Sequence, residues 1–238
     1  MNYLQLCARM RQEIRGAGSG PSAVTGQTGL YQDIVNWIAA AHTDIQTEDN
    51  GHWDWLRRSF TVDTVADDDT YAYGDCTDVL AAAAISRFTD WRLTDKRLPP
   101  KIYLVSGGVG TERRMVYRPW EAFSSVFKIG TQNSGSPVFI TEDPQQNLVI
   151  GAKPNDIYRI TGEYWRGPLQ FAANGDEPEF ASQYHMIIVY KAMIDYAYNE
   201  VAPEILERAQ MKYEELEARL VGNRSSFMGF RTAGPLVS

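Results

Sequence analysis

The sequence predicts an α+β protein: a helical bundle with a long C-terminal helix, an inserted antiparallel β region and an extended C-terminal tail. Three observations carry that reading. Apolar residues recur at helical spacing near both ends of the chain, whereas the middle alternates with the two-residue period of strands. Those strands follow one another without alternating helices, which favours α+β over a parallel sheet. The final stretch, GNRSSFMGFRTAGPLVS, has no apolar period, yet it sets Phe227, Met228, Phe230 and Leu236 among Gly, Ser and Arg. The 238 residues accordingly divide into a helical bundle (1–57 and 176–222), an inserted β-rich region (58–175) and a tail (223–238).

The opening segment places Tyr3, Leu4, Cys7, Met10 and Ile14 at helical spacing. GAGSGPSAVTGQTG then stops the helix, since it cannot cross so many Gly and a Pro. A second helix is expected from near Thr28 to about Asp49, with the stripe Leu30, Ile34, Trp37, Ile38, Ala41 and Ile45. From His52 the period changes. Phe60, Val62 and Thr64 alternate with polar residues, and the Asp67-Asp68-Asp69 run leads to Tyr71 and Tyr73, which reads as strand, turn and strand. Between Arg58 and Arg87 there is no Lys or Arg, while Asp63, Asp67, Asp68, Asp69, Asp75 and Asp78 all fall inside. Such a one-sign stretch is a solvated loop, or else a surface turned toward DNA or a basic partner. Asp78-Val79-Leu80 with four alanines fits a short buried helix or strand equally well.

Short strands broken at Pro99-Pro100 follow, then a short helix opened by Pro119. Val138 and Ile140, Leu148 and Ile150, and Ile157 to Tyr164 are separated by turns at Asp143–Gln146 and Lys153–Asp156, which reads as a three-stranded meander. The last helical segment places Ile187, Tyr190, Ile194 and Tyr198 on one face and must kink or restart at Pro203. Beyond it Leu206, Ala209, Tyr213, Leu216 and Leu220 repeat at three, four, three and four. That narrow seam suits one neighbouring helix, in this chain or in another subunit. The tail is too short to build a core, and its exposed aromatics gain most by burial on another chain.

Composition narrows the function. An apolar content of 44% and a charged content of 22% suit a soluble globular protein. A net charge of −7 argues against a protein that binds nucleic acid by neutralising phosphates, although an acidic wall can face DNA and repel it. Cys7 and Cys76 make no disulfide framework and read as free thiols of a reducing cytoplasm. The first eighteen residues carry Gln, Arg and Glu through their apolar positions, unlike a signal peptide. No stretch approaches the roughly 18 apolar residues of a membrane span.

Catalytic and metal chemistry is not spelled out. His42 with Asp44 and Glu48 could hold a metal, but two carboxylates at helical spacing are ordinarily just solvated; His52 beside Trp53 has no ligand set around it, and His185 beside Tyr184 on the long helix reads as a satisfied, partly buried ring rather than a catalytic one. The Gly-rich stretches at 106–110 and 133–137 lack the Lys and the following helix of a phosphate loop. Glu163 with Asp156 is the one acid pair that could serve glycoside hydrolysis. Trp91, Trp120, Tyr164 and Trp165 could stack sugars or fill a subunit interface. No catalytic residue, metal or cofactor is expected.

Several stretches carry a family resemblance: MNYLQLCARMRQE with SGPSAVTGQTGLYQDIVNWIAAAHTDIQ, the segment Trp53 to Arg57, YRITGEYWRGP at Tyr158 to Pro168, and His185 to Ala197. Together they make the chain similar to the head–tail adaptor proteins of tailed bacteriophages. That resemblance implies a structural protein of the virion neck, assembled in the host cytoplasm. It implies a ring, commonly of twelve copies, beneath the portal protein, which extends the DNA channel and docks tail or nozzle proteins. DNA would pass without sequence-specific binding, and no membrane is involved. In this reading Arg224, Phe227, Met228, Phe230, Arg231 and Leu236 anchor the tail on the portal. Leu206, Ala209, Tyr213, Leu216 and Leu220 pack near the portal or a neighbouring subunit, and Asp63, Asp67, Asp68 and Asp69 face the lumen or the tail. The competing readings are a more distal stopper or tail-completion protein, and a phage structural protein with glycan-hydrolase or carbohydrate-binding activity.

Overall fold

The computed structural model describes residues 1–15 and 18–225. In chain order it contains α1 (Tyr3–Glu13), α2 (Leu30–Thr47), β1 (Arg57–Asp63), β2 (Thr70–Tyr71), β3 (Thr77–Asp78), β4 (Ala83–Ala84) and β5 (Asp90–Trp91). Next come β6 (Lys101–Leu104), β7 (Arg113–Arg114), β8 (Val116–Tyr117), α3 (Trp120–Phe127), β9 (Phe139–Glu142) and β10 (Leu148–Gly151). The series closes with β11 (Tyr158–Trp165), α4 (Met186–Asn199) and α5 (Pro203–Ser225). The fold is α+β, with a long C-terminal helix. Met1–Glu48 and the chain from Leu169 onward make one compact unit, and Asp49–Pro168 a second.

The first unit is the helical one. Asn2 caps α1 through a reciprocal pair with Gln5: its Oδ1 accepts from the Gln5 amide at 2.9 Å, and its own amide donates to Gln5 Oε1 at 3.0 Å. Such a box is worth about 1 kcal/mol. The buried side of α1 holds Tyr3, Leu6, Cys7 and Met10, so Leu6 fills the position expected of Leu4, which is only half-buried. Across from it α2 buries Ile34, Val35, Ile38, Ala41, His42 and Ile45. The face expected on α4 is displaced: Ile187 is buried, but Tyr190 and Ile194 are half-buried and Tyr198 is exposed. Ile188, Val189, Ala192, Met193 and Ala197 form the inner side instead, where small Ala192 and Ala197 let α2 and α5 approach closely. Each large apolar side chain buried here contributes about 1.5–3 kcal/mol. The helix restarts at Pro203, whose missing N–H costs nothing at a first helical position.

The second unit holds two sheets. One has the order β4-β3-β1-β11-β6-β7, with β5 also on β11; the other has the order β2-β10-β9-β8. All pairings are antiparallel except β8 with β9. Phe60, Val62, Ile102, Ile160 and Tyr164 of the larger sheet share one core with Tyr71, Ile140, Leu148 and Ile150 of the smaller.

Three local expectations change. β1 and β2 form no hairpin, because the turn between them passes the chain from one sheet to the other. The meander stops at the β9–β10 hairpin, since β2 occupies the far edge of β10. β11 crosses instead to β1 and pairs with it from Arg57↔Trp165 to Asp63↔Arg159, the register that buries Val62 opposite Ile160. The Val79–Ala84 run is neither buried nor helical; it is an exposed turn ending in β4. The Asp78 carboxylate accepts the amides of Leu80 and Ala81 at 2.8 and 3.0 Å, which fixes that turn locally without burying it.

Candidate functional site

The outer face of the larger sheet carries a groove of about 610 Å³. Ser59 and Thr61 of β1 and Thr161 of β11 form its polar floor, because alternate residues of these strands turn Phe60, Val62 and Ile160 inward. Val79 on one side and Leu98–Pro99 on the other supply apolar walls; Val79 and Leu98 are each about half exposed, at 53% and 52%. Arg97, Lys101 and Arg114 line the groove as well. Lys101 is held by Glu112 at 3.0 Å, whereas Arg97 and Arg114 form no ion pair among the described residues. Asp95 accepts the Arg97 amide at 2.8 Å, and its carboxylate already binds the Arg92 side chain.

The acidic turn follows the other end of β1. Asp63 is held bidentately by Arg159, Nε and Nη2 at 2.6 Å each, and that guanidinium keeps its carboxyl below the usual range. Asp69 accepts from Lys128 at 2.9 Å. Asp67 accepts the Ser134 hydroxyl and Asp68 the Thr70 amide, and neither meets a cation among the described residues. Four predicted acids therefore reduce to two unpaired carboxylates, set beside an exposed Val65. The turn is rigidly tied: Tyr71 Oη donates to the Asp68 carbonyl at 2.7 Å, and the Asp67 amide donates to the Pro154 carbonyl at 2.8 Å.

Part of the helical seam is buried within the chain. Ala209, Tyr213 and Leu220 are buried and Leu206 and Leu216 half-buried on α5, which packs along α4. Tyr213 donates to Glu48 at 2.8 Å, and Glu48 in turn receives Lys191 at 3.1 Å. The other predicted interaction residues, Phe227, Met228, Phe230, Arg231 and Leu236 together with the side chain of Arg224, lie outside the described residues.

The enzymatic candidates come apart. Glu163 is bound by Arg92 and lies 3.8 Å from Arg57, while Asp156 precedes the first residue of β11. At about 3.3 Å per strand residue the two are separated by ~20 Å, beyond the spacing of a glycosidase pair. Trp91, Tyr164 and Trp165 are buried in the core rather than offered to a sugar, and Trp120 is half-buried. His42 is fully buried and stacked on Phe171 with ring centroids 3.8 Å apart, a packed core ring rather than a surface ligand. His185 shares a hydrogen bond with the Phe180 carbonyl at 3.0 Å, and burial lowers its pKa. Among the described residues no three metal donors gather. The exposed Val79–Ala84 turn and the groove beside it were not singled out in the sequence as interaction features. The uninterrupted apolar run VLAAAA was the available signal.

A protein-family model described as SU10 adaptor protein matches residues 1–233. A comparison with curated proteins gives no match.

Proposed function

Because the chain belongs to the SU10 adaptor protein family, a family of phage head–tail adaptors, we propose that it forms a ring of about twelve copies beneath the portal. The ring extends the DNA channel and presents a docking face to tail or nozzle proteins, which places the protein in the neck of the virion. The observation that carries this reading is the family match across both units, from residue 1 to residue 233.

The C-terminal segment anchors the subunit to the portal. Phe227, Met228, Phe230 and Leu236 supply the apolar contacts, and Arg224 and Arg231 give electrostatic register. Ordering such a segment costs entropy on binding; repetition around a ring offsets it by raising the effective concentration of each next copy.

The test is to mix the protein with portal rings from the same source and measure the mass of the complex by light scattering on a sizing column. A discrete gain equal to a full ring is expected, and a chain truncated after Asn223 should stay folded and lose the gain. Full binding by the truncated chain would remove the anchor. No binding by the intact chain would remove the portal-proximal reading in favour of a more distal neck component.

A further inference from the structure

One surface of the second unit is basic and apolar, and another is acidic and apolar. The groove offers Arg97 and Arg114, without ion pairs among the described residues, between the walls Val79 and Leu98. The turn offers Asp67 and Asp68, without cations, beside Val65 at 61% exposure. Beside them Lys101, Asp69 and Asp63 are each held in an ion pair, and Glu163, which also lines the groove, is bound by Arg92, whereas Arg97, Arg114, Asp67 and Asp68 form no ion pair among the described residues.

The two features cannot satisfy each other within one chain. The groove is cut where Ser59 and Thr61 lie on β1, whereas the turn begins beyond Asp63 and is pinned by Tyr71 and Pro154. We propose that the groove receives the Val65–Asp68 turn of a second copy of this chain, with Asp67 and Asp68 set against Arg97 and Arg114 and Val65 between the apolar walls. Knob and groove are different surfaces, so the contact is head-to-tail and each copy keeps one free half. Repetition of such a contact closes a ring or runs on as a filament. A two-fold pair would have to exchange both contacts reciprocally and would stop at a dimer, so association limited to a dimer would overturn the head-to-tail form. This assigns Asp67 and Asp68 to the subunit contact rather than to the channel lumen. The proposal names the contact within the ring proposed above and rests on that reading for its closure.

The experiment is sedimentation velocity on the full chain, at rising concentrations into the millimolar range and at two salt concentrations. The wild type should self-associate, less so at high salt. Asp68→Lys and Arg114→Glu should each weaken association by about tenfold or more, the scale of a lost interfacial charge pair. Both sites are exposed, and circular dichroism checks that each variant is folded. A mixture of the two variants should recover association beyond a dimer, because the intact turn of one meets the intact groove of the other and the two reversed charges attract as well. The double variant, with both charges exchanged, should regain association. A wild type that stays monomeric throughout, or single variants that associate like it, would overturn the contact. Portal binding is scored separately: variants that still assemble a full ring on the portal remove this contact and leave the adaptor reading, and self-association without portal binding does the reverse.

Discussion

Tyr164 donates its phenolic hydrogen to the Asp78 carboxylate at 2.7 Å, joining the central strand β11 to the turn that carries the exposed Val79–Ala84 run. The same carboxylate accepts the amides of Leu80 and Ala81. Burial acts to raise the Asp78 pKa, but these three donors outweigh it and hold the group below its usual value. Tyr164→Phe should cost about 1.5–3 kcal/mol, the net worth of a hydrogen bond to a charged acceptor. Because the folded Asp78 titrates low, its contribution is present above the ordinary carboxylate range and is lost as pH falls through the folded value. Urea unfolding of the two proteins at pH 7 and in acid should show the gap closing at the acid end.

Gly162 lies opposite Phe60 across β1 and β11, and a Cβ built on it would meet the Phe60 ring at 2.7 and 2.9 Å. The missing Cβ leaves room for that ring against the strand. Gly162→Ala should destabilise the protein by about 1–3 kcal/mol through overpacking, measured as a drop in Tm.

Glu142 ends β9, and burial, with Asp90 and Asp143 adding like charge, pushes its pKa up from 4.5 to about 7. The folded state then holds the proton more tightly than the unfolded one, so stability falls as pH rises between those two values. Glu142→Gln should flatten that slope and raise stability at pH 8 by about 1 kcal/mol, the full shift being discounted for partial solvation. Denaturation at pH 5 and pH 8 checks both the sign and the window.

Val201, in the link between α4 and α5, has φ of 52° and is 84% exposed. A β-branched residue in the left-handed region loses about 1–2 kcal/mol, and its side chain here recovers little by burial. Val201→Gly should therefore raise Tm, with a gain of about 1 kcal/mol once the extra freedom of glycine in the unfolded chain is counted.

The helices were legible because a 3.6-residue period survives in a single sequence: the α2 stripe from Ile34 to Ile45 is buried largely as read. Strand identity was legible for the same kind of reason at Phe60, Val62 and Thr64, all buried. Partnership was not, because alternation tells which face of β11 turns inward and nothing about whether β10 or β1 lies beside it. The free edge of β10 was taken by Thr70–Tyr71, two residues too short to announce a strand. The groove was invisible for a related reason, since Val79, Leu98 and Arg114 meet only after four separate pairings, from β3 through β1, β11 and β6 to β7, bring them onto one face. The acids of the turn were visible, but their neutralisation by Lys128 and Arg159 depends on contacts across 59 and 96 residues.

The first unit is written in two pieces, Met1–Glu48 and the chain from Leu169 onward, with 120 residues of the second unit (49 to 168) between them. On a ribosome adding about 5–20 residues per second, α1 and α2 therefore wait on the order of 10 s for α4 and α5 to exist. The second unit, continuous in sequence, can complete its sheets in that interval. Order of synthesis thus favours a finished β module held between two unfinished halves of a bundle, and the bundle closes last.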